Sequence, residues 1–202
     1  MLLIVGLGNP GIEYKLTRHN IGFEIIDYLH SHFRFPNFKS KFGGLYSKKN
    51  LFGKNIIIFK PQMFMNLSGE PIKKIKDYYK LEDFILIHDD IDMNFLKIKI
   101  KSSGGHGGHN GVRDTIKYNG NNFFRIKFGV SNENLESKKI KPENFVLDNF
   151  SSNELKRIEE FKKLTKDNFV HIINKNFSIF KTKLIMSKNG IQLWNIRIAK
   201  CW

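Results

Sequence analysis

The sequence predicts a single α/β domain. Short apolar runs that end at glycine or at polar turns alternate with segments whose apolar residues recur at helical spacing. No Pro- or Ser-rich linker separates them, and 41% hydrophobic with 26% charged residues over 202 positions is an ordinary globular composition. Leu2 to Val5 reads as a buried strand. After a loop from Gly6 to Arg18, the spacing of Ile21, Ile25, Ile26, Leu29 and Phe33 predicts a helix. Lys41 to Leu51 and Lys54 to Lys60 read as two strands around a turn at Phe52-Gly53. Met63 to Tyr79 is helical in pattern, with Pro71 marking an early turn or a restart, and Phe84 to Ile87 is the centre of a further buried strand.

The second half follows the same rules. Leu96, Ile98 and Ile100 alternate strictly with Lys97, Lys99 and Lys101, which predicts a strand with a lysine face. A glycine-rich loop precedes a helix from Gly111 to Lys117, and Phe123 to Val130 reads as a strand with Arg125 and Lys127 on one face. Ser151-x-x-Glu154 resembles a capping box opening a helix through about Asn174. Residues 189–202 hold both tryptophans, the only cysteine and the only alanine, so the domain is taken as 1–188. The rest reads as an added or read-through tail, with a genuine C-terminal extension as the alternative.

One cysteine excludes an intramolecular disulfide framework and a Cys-based zinc cage. No apolar run reaches the roughly 18 residues of a membrane span, and the opening residues lack the basic region of a signal peptide. A cytoplasmic soluble protein without membrane contact is expected. The formal net charge is +15, but only six of the 34 basic residues are Arg. Lys, Asn, Ile and Phe are abundant, so part of the charge reflects composition alone. Placement is more informative: Phe95 to Lys141 holds ten basic and three acidic residues, which points to a polyanionic partner.

Gly6-Leu7-Gly8-Asn9-Pro10-Gly11 satisfies a dinucleotide fingerprint, but Pro10 interrupts it and the acid at suitable spacing, Asp27, falls inside a helix. His19 lies at a helix start, where the dipole favours neutral imidazole and so a general base; a purely structural histidine is the alternative. His88-Asp89-Asp90 closes a buried strand, where a carboxylate can fix a histidine tautomer, while Asp90 and Asp92 read as turn residues. The stretch from Ser103 to Gly111 lets backbone N–H groups approach a ligand, and it lacks the Lys-Ser/Thr pair of a P-loop. His106, His109, His88 and Asp89 could be read as metal ligands, yet glycines around both loop histidines offer no rigid geometry. Asn110 suits the orientation of water or a carbonyl. Phe64 to Gly69 reads as a capped helix start with Met65 in the core, unless the amide of Asn66 is functional.

Five segments together resemble the bacterial peptidyl-tRNA hydrolase family: Val5 to Gly11; Tyr14-x-x-Thr17-Arg18-His19-Asn20-x-Gly22; Phe64 to Gly69; His88-Asp89-Asp90; and Gly105 to Gly111. They occur in the family's order. The resemblance implies a twisted mixed sheet between helices and hydrolysis, during translation, of the ester joining peptide to tRNA. His19 would activate water, with Asp89 as its hydrogen-bonding acid. Asn9, Asn66 and Asn110 would line the cleft. Tyr14, Met65, Gly107 and His109 would surround the terminal adenosine and the peptide. Lys101 and Lys127, with Arg125 on the same basic strands, would meet the acceptor stem and its 5′ phosphate, and Lys at 127 favours a point-charge contact over a bidentate one. No metal or organic cofactor is implied, and a monomer is expected. A nucleic-acid-binding module without catalysis is the competing class; it explains the lysines but leaves His19, Asp89 and the three amides without a role.

Overall fold

The computed structural model describes residues 1–137 and 140–187. The segment 189–202, read from sequence as a tail, lies outside the described residues. The chain forms two compact units, the first Met1–Phe150 and the second beginning at Ser151. In the first, β1 (Leu2–Gly6) is buried throughout and a 3-10 turn, Arg18–Asn20, leads into α1 (Ile21–His32). There follow β2 (Lys39–Lys41), β3 (Gly44–Leu51), β4 (Lys54–Pro61), α2 (Gly69–Tyr78), β5 (Phe84–Asn94), β6 (Ile98–Lys101), α3 (Asn110–Asn119) and β7 (Phe124–Ser131). Two short helices, α4 (Glu133–Glu136) and α5 (Pro142–Leu147), end this unit. Proline at the first position of α5 needs no N–H partner and is pre-set for a helix.

The sheet is mixed, in the order β2-β3-β4-β1-β5-β7-β6. β1 pairs in parallel with β4 and β5, and β5 with β7; the pairs at both margins are antiparallel. Side-chain alternation assigns the two faces. Leu3 and Val5 of β1 join Ile57, Phe59, Phe84 and Leu86 in a core with Ile72 and Ile75 of α2 and Val112 of α3. Gly6 points the other way, against α1: a Cβ there would lie 2.2 Å from the carbonyl oxygen of Gly22. A Cβ on Gly22 would in turn meet Leu7 and the Ile87 carbonyl oxygen at 2.5 Å. This glycine pair lets α1 approach β1 and β5 backbone to backbone, which places the residues before α1 at the end of β1 and beside the middle of β5.

Several elements differ from the sequence expectation. The strand expected from Lys41 is broken by Phe42 and Gly43, both at positive φ, which makes β2 and β3 a hairpin. Leu96 also takes a positive φ of 67°, so β6 starts at Ile98, and Lys97 lies outside its lysine face. Asp90 and Asp92, expected in a turn, belong to β5, which continues through an irregularity between Asp90 and Asn94. The Met63–Tyr79 pattern is a 3-10 turn, Met65–Leu67, followed by α2. In the second unit the capping box of Ser151 and Glu154 opens α6 (Ser152–Asp167). The helix expected to reach Asn174 stops at Asn168, whose side chain bonds the Leu164 carbonyl, and α7 (Phe169–Ile173) and α8 (Phe177–Met186) follow. No described helix is long and apolar enough to cross a membrane.

Candidate active site

A cavity of about 270 Å³ opens where the regular parallel pairing of β5 with β7 ends, beside His88–Asp90 and Lys127. Its walls include His19, His88, Asp89, Asp90, the loop His106–Asn110, Lys127, and Pro142, Glu143 and Val146 of α5. Parallel sheets leave functional side chains at this end because crossovers return the chain there. Asp89 is 1% exposed and is met by two imidazoles. His19 Nδ1 lies 2.9 and 3.0 Å from its two oxygens, and His109 Nε2 lies 2.9 Å from Oδ1.

The backbone fixes which nitrogen of His109 carries the proton. Its Nδ1 caps α3 by accepting from the N–H groups of Gly111 (3.1 Å) and Val112 (3.3 Å). Amide N–H groups can only donate, so the ring proton sits on Nε2 and is donated to Asp89. Both nitrogens of His109 are therefore in use. His19 differs: with Nδ1–H donated to Asp89, Nε2 keeps a lone pair at the cavity wall. The two rings are 4.8 Å apart, and His88 packs edge-on against His109 at the same separation.

Electrostatics follow the geometry. Burial opposes protonation of His19, but the charge of Asp89 and its hydrogen bond outweigh burial and raise the His19 pKa above the usual 6.5. This corrects the expectation from the helix dipole alone, since a buried carboxylate in contact outweighs a terminal dipole. Burial likewise opposes ionisation of Asp89, yet His19 and His109 hold its carboxyl well below the ordinary carboxylate range. His88 is pushed well below the usual value by burial and by His109, so it stays neutral; its Nδ1 donates to the Asp89 carbonyl at 2.7 Å.

Other predicted residues divide into those lining the cavity and those beneath it. Gly107 and Asn110 line it. Asn110 Oδ1 accepts from Arg113 Nη1 at 2.9 Å, which leaves the amide NH2 as its donor. Asn9 is buried, and its Oδ1 accepts the Met65 N–H at 2.7 Å. Its backbone is held by Asn20, which accepts from Asn9 N (2.8 Å) and donates to Asn9 O (2.9 Å). Met65, expected beside substrate, is a core residue against Leu7 and Gly111. Tyr14 is half-buried and Asn66 exposed, both outside the cavity lining.

Arg125 and Lys127 do share a face of β7, but their surroundings differ. Arg125 is 2% exposed, and its guanidinium donates to the carbonyls of Gly105 (2.7 Å) and Gly104, so it holds the glycine loop from below. That corrects the expectation of an exposed phosphate contact at 125. Lys127 reaches the cavity wall and pairs with Asp90. Lys101, the register partner of Arg125, is exposed.

Three contributions were not legible beforehand: Asn20 as a latch on the first loop, His109 as a second donor to Asp89, and α5 as a wall. α5 is secured by the residue next to His19. The Arg18 guanidinium lies 4.3 Å over the Phe145 ring and donates to the carbonyls of Asp148 (3.0 Å) and Asn149 (2.8 Å). Its place in the sequence between Thr17 and His19 was the available signal, but nothing local names a partner 130 positions away. His19, Asp89 and His109 could also present one ligand atom each to a metal, all within 4.8 Å. Their 2.9 Å contacts are hydrogen-bond distances, and the capped Nδ1 of His109 explains its orientation without an ion.

Comparison with known proteins gives one answer. A family model described as peptidyl-tRNA hydrolase matches residues 3–190. The peptidyl-tRNA hydrolase of Campylobacter concisus is 39% identical over 196 residues, covering 95% of this chain and all of that one. That of Fusobacterium nucleatum is 42% identical over 163 residues, covering 79% of this chain and 83% of that one. The crystal structure of peptidyl-tRNA hydrolase from Acinetobacter baumannii superposes with a TM-score of 0.83 at 30% identity, covering 94% of this chain and 96% of that one. By its sequence, its mixed seven-stranded sheet and its relatives, the chain belongs to the peptidyl-tRNA hydrolase family.

Proposed function

We propose that this hydrolase cleaves the ester between peptide and tRNA with His19 as general base and Asp89 as its orienting acid. The observation that carries the reading is His19 Nε2, a lone pair at the cavity wall on a ring whose Nδ1–H is held by Asp89; His88 Nε2 also lacks a partner, but it is buried on a ring that burial and His109 make hard to protonate. It would take a proton from water as the oxygen attacks the ester carbonyl. The imidazolium formed is stabilised by Asp89 and returns the proton to the leaving 3′ sugar oxygen. A positioned general base supplies roughly 10²–10⁴-fold. The amide NH2 of Asn110 suits the developing oxyanion, a contact typically worth about 3 kcal/mol.

In this reading Gly107 and His109 border the 3′ end of the substrate, with Tyr14 and Asn66 at the cleft margin. Asn9 and Met65 shape the cleft through the hydrogen bond between them. Lys101 and Lys127 receive the phosphates of the acceptor stem, and Asp90 must yield Lys127 to a phosphate for that contact to form. Every group belongs to residues 1–188 of one chain, which supports that segment as the working domain and a monomer as the working unit. A tRNA substrate supports the expected cytoplasmic location.

Hydrolysis of purified N-acetyl-aminoacyl-tRNA, with and without chelator, tests the reading. Chelator-resistant release of deacylated tRNA is expected. Binding without release would return the protein to the class of RNA-binding modules, and release abolished by chelator would make His19, Asp89 and His109 metal ligands.

A further inference from the structure

The most basic acid-free stretch of the chain lies outside the cavity. Residues 28–69 contain seven Lys and Arg and not one Asp or Glu. They build the β2–β3–β4 side of the sheet, at the margin opposite β6. Strand register shows where this charge points. One row of paired residues crosses all seven strands: Lys39, Tyr46, Phe59, Val5, Leu86, Arg125 and Lys101. Paired residues share a face, so Lys39 at one margin and Lys101 at the other lie on the face that carries α2 and α3. Six strand spacings of about 4.8 Å put them roughly 29 Å apart.

At the β2–β3 margin Lys39, Lys41 and Lys48 are all exposed, and among the described residues no carboxylate pairs with them. The acids of α2 are occupied within the helix: Glu70 pairs with Lys74 and Asp77 with Lys73. Two of these lysines stand over an aromatic cluster. Lys41 Nζ stands 4.2 Å above the ring of Tyr78 and 4.9 Å above Phe42, and Lys48 lies 5.6 Å above Tyr79. Tyr78 is 59% exposed. Phe42 holds the hairpin position (φ 63°) that Asn or Asp usually takes before glycine, and its ring packs 5.0 Å from Tyr78. One exposed ring, Tyr78, beside the half-buried Phe42 and Tyr79 and among unpaired lysines is the composition of surfaces that grip RNA phosphates and stack unpaired bases.

We infer that this margin is a second RNA contact, occupied by the body of the same tRNA whose 3′ end enters the cavity. The inference rests on the peptidyl-tRNA reading of the cavity. Its warrant is charge complementarity and reach: two lysine margins flank one face, and an A-form RNA arm of about ten base pairs, shorter per pair than B-DNA, spans them. A short 3′ fragment occupies the cavity and reaches neither the β2 margin nor its aromatic cluster.

The experiment compares full-length N-acetyl-aminoacyl-tRNA with a short 3′-terminal fragment carrying the same ester, using the triple variant Lys39→Ala, Lys41→Ala, Lys48→Ala. Its KM for the full-length substrate should rise about ten-fold and the salt slope should fall by about two, with kcat unchanged. Fragment hydrolysis should match the parent, which also shows that the variant is folded. Tyr78→Ala should raise the full-length KM a few-fold, whereas Tyr78→Phe should not. Binding of deacylated tRNA by filter retention makes the same comparison without chemistry. If the parent cleaves neither substrate, the cavity reading fails while retention still tests this margin. Unchanged KM, salt slope and retention would reduce it to a solvated lysine face, and equal losses on both substrates would assign these residues to the fold; either result overturns the inference.

Discussion

The approaches to α1 and α3 carry similar residues to different ends. Each brings a histidine to the start of a helix, and both rings donate to the same carboxylate, Asp89. His109 spends its second nitrogen capping α3 with two backbone N–H groups, whereas His19 has no such cap and keeps Nε2 for the cavity. A histidine whose two nitrogens are both committed orients its neighbours; one with a lone pair left over can move a proton. Catalytic assignment here follows from counting hydrogen-bond partners, because proximity to Asp89 alone does not separate the two.

Three substitutions probe that asymmetry, and a lysine pair and a truncation test the rest of the account. His19→Ala should lower kcat by about two to four orders of magnitude with little change in tRNA affinity. Near-normal turnover would end the assignment of His19. Asp89→Asn should cost somewhat less, roughly one to two orders. Both histidines reach Oδ1, which an amide oxygen can still serve, but the amide NH2 then faces His19 at the Oδ2 position and the negative charge that stabilises the imidazolium is lost. His109→Ala should reduce turnover only several-fold while lowering the melting temperature, since losing a helix cap typically costs about 1 kcal/mol. Equal losses in His19→Ala and His109→Ala would show that the two histidines act as one catalytic unit. Lys101→Ala with Lys127→Ala should raise KM for full-length peptidyl-tRNA, flatten its salt dependence and spare kcat. Truncation after Lys188 should change neither melting temperature nor rate; a large loss would mean that residues 189–202 support the domain.

The parts of this site that were legible in the sequence are those fixed by neighbours in the chain. His19 before a helix, Asp89 at the end of an apolar strand and the glycines around His109 each announce a local geometry. What escaped depends on distant register. Strand alternation places Arg125 and Lys127 on one face, but only the folded loop covers Arg125, and only the β5–β7 pairing sets Lys127 beside Asp90. The polar segment that becomes α5 carries little apolar periodicity, and its attachment to Arg18 joins residues 130 positions apart. Positive φ at Phe42 and Leu96 broke two expected strands, because nothing in a bulky apolar side chain advertises a turn.

The central claim, that Asp89 holds His19 as a base, is tested most directly by the pH dependence of kcat/KM. His19 must be neutral to accept a proton, and Asp89 raises its pKa above 6.5 against the opposing effect of burial. Activity in the parent should therefore climb with pH through a midpoint above 6.5. In Asp89→Asn burial acts unopposed, so the same limb should move to lower pH while the plateau falls. A limb at the same pH in both proteins would contradict the account, because the titrating group would then not be a histidine coupled to Asp89.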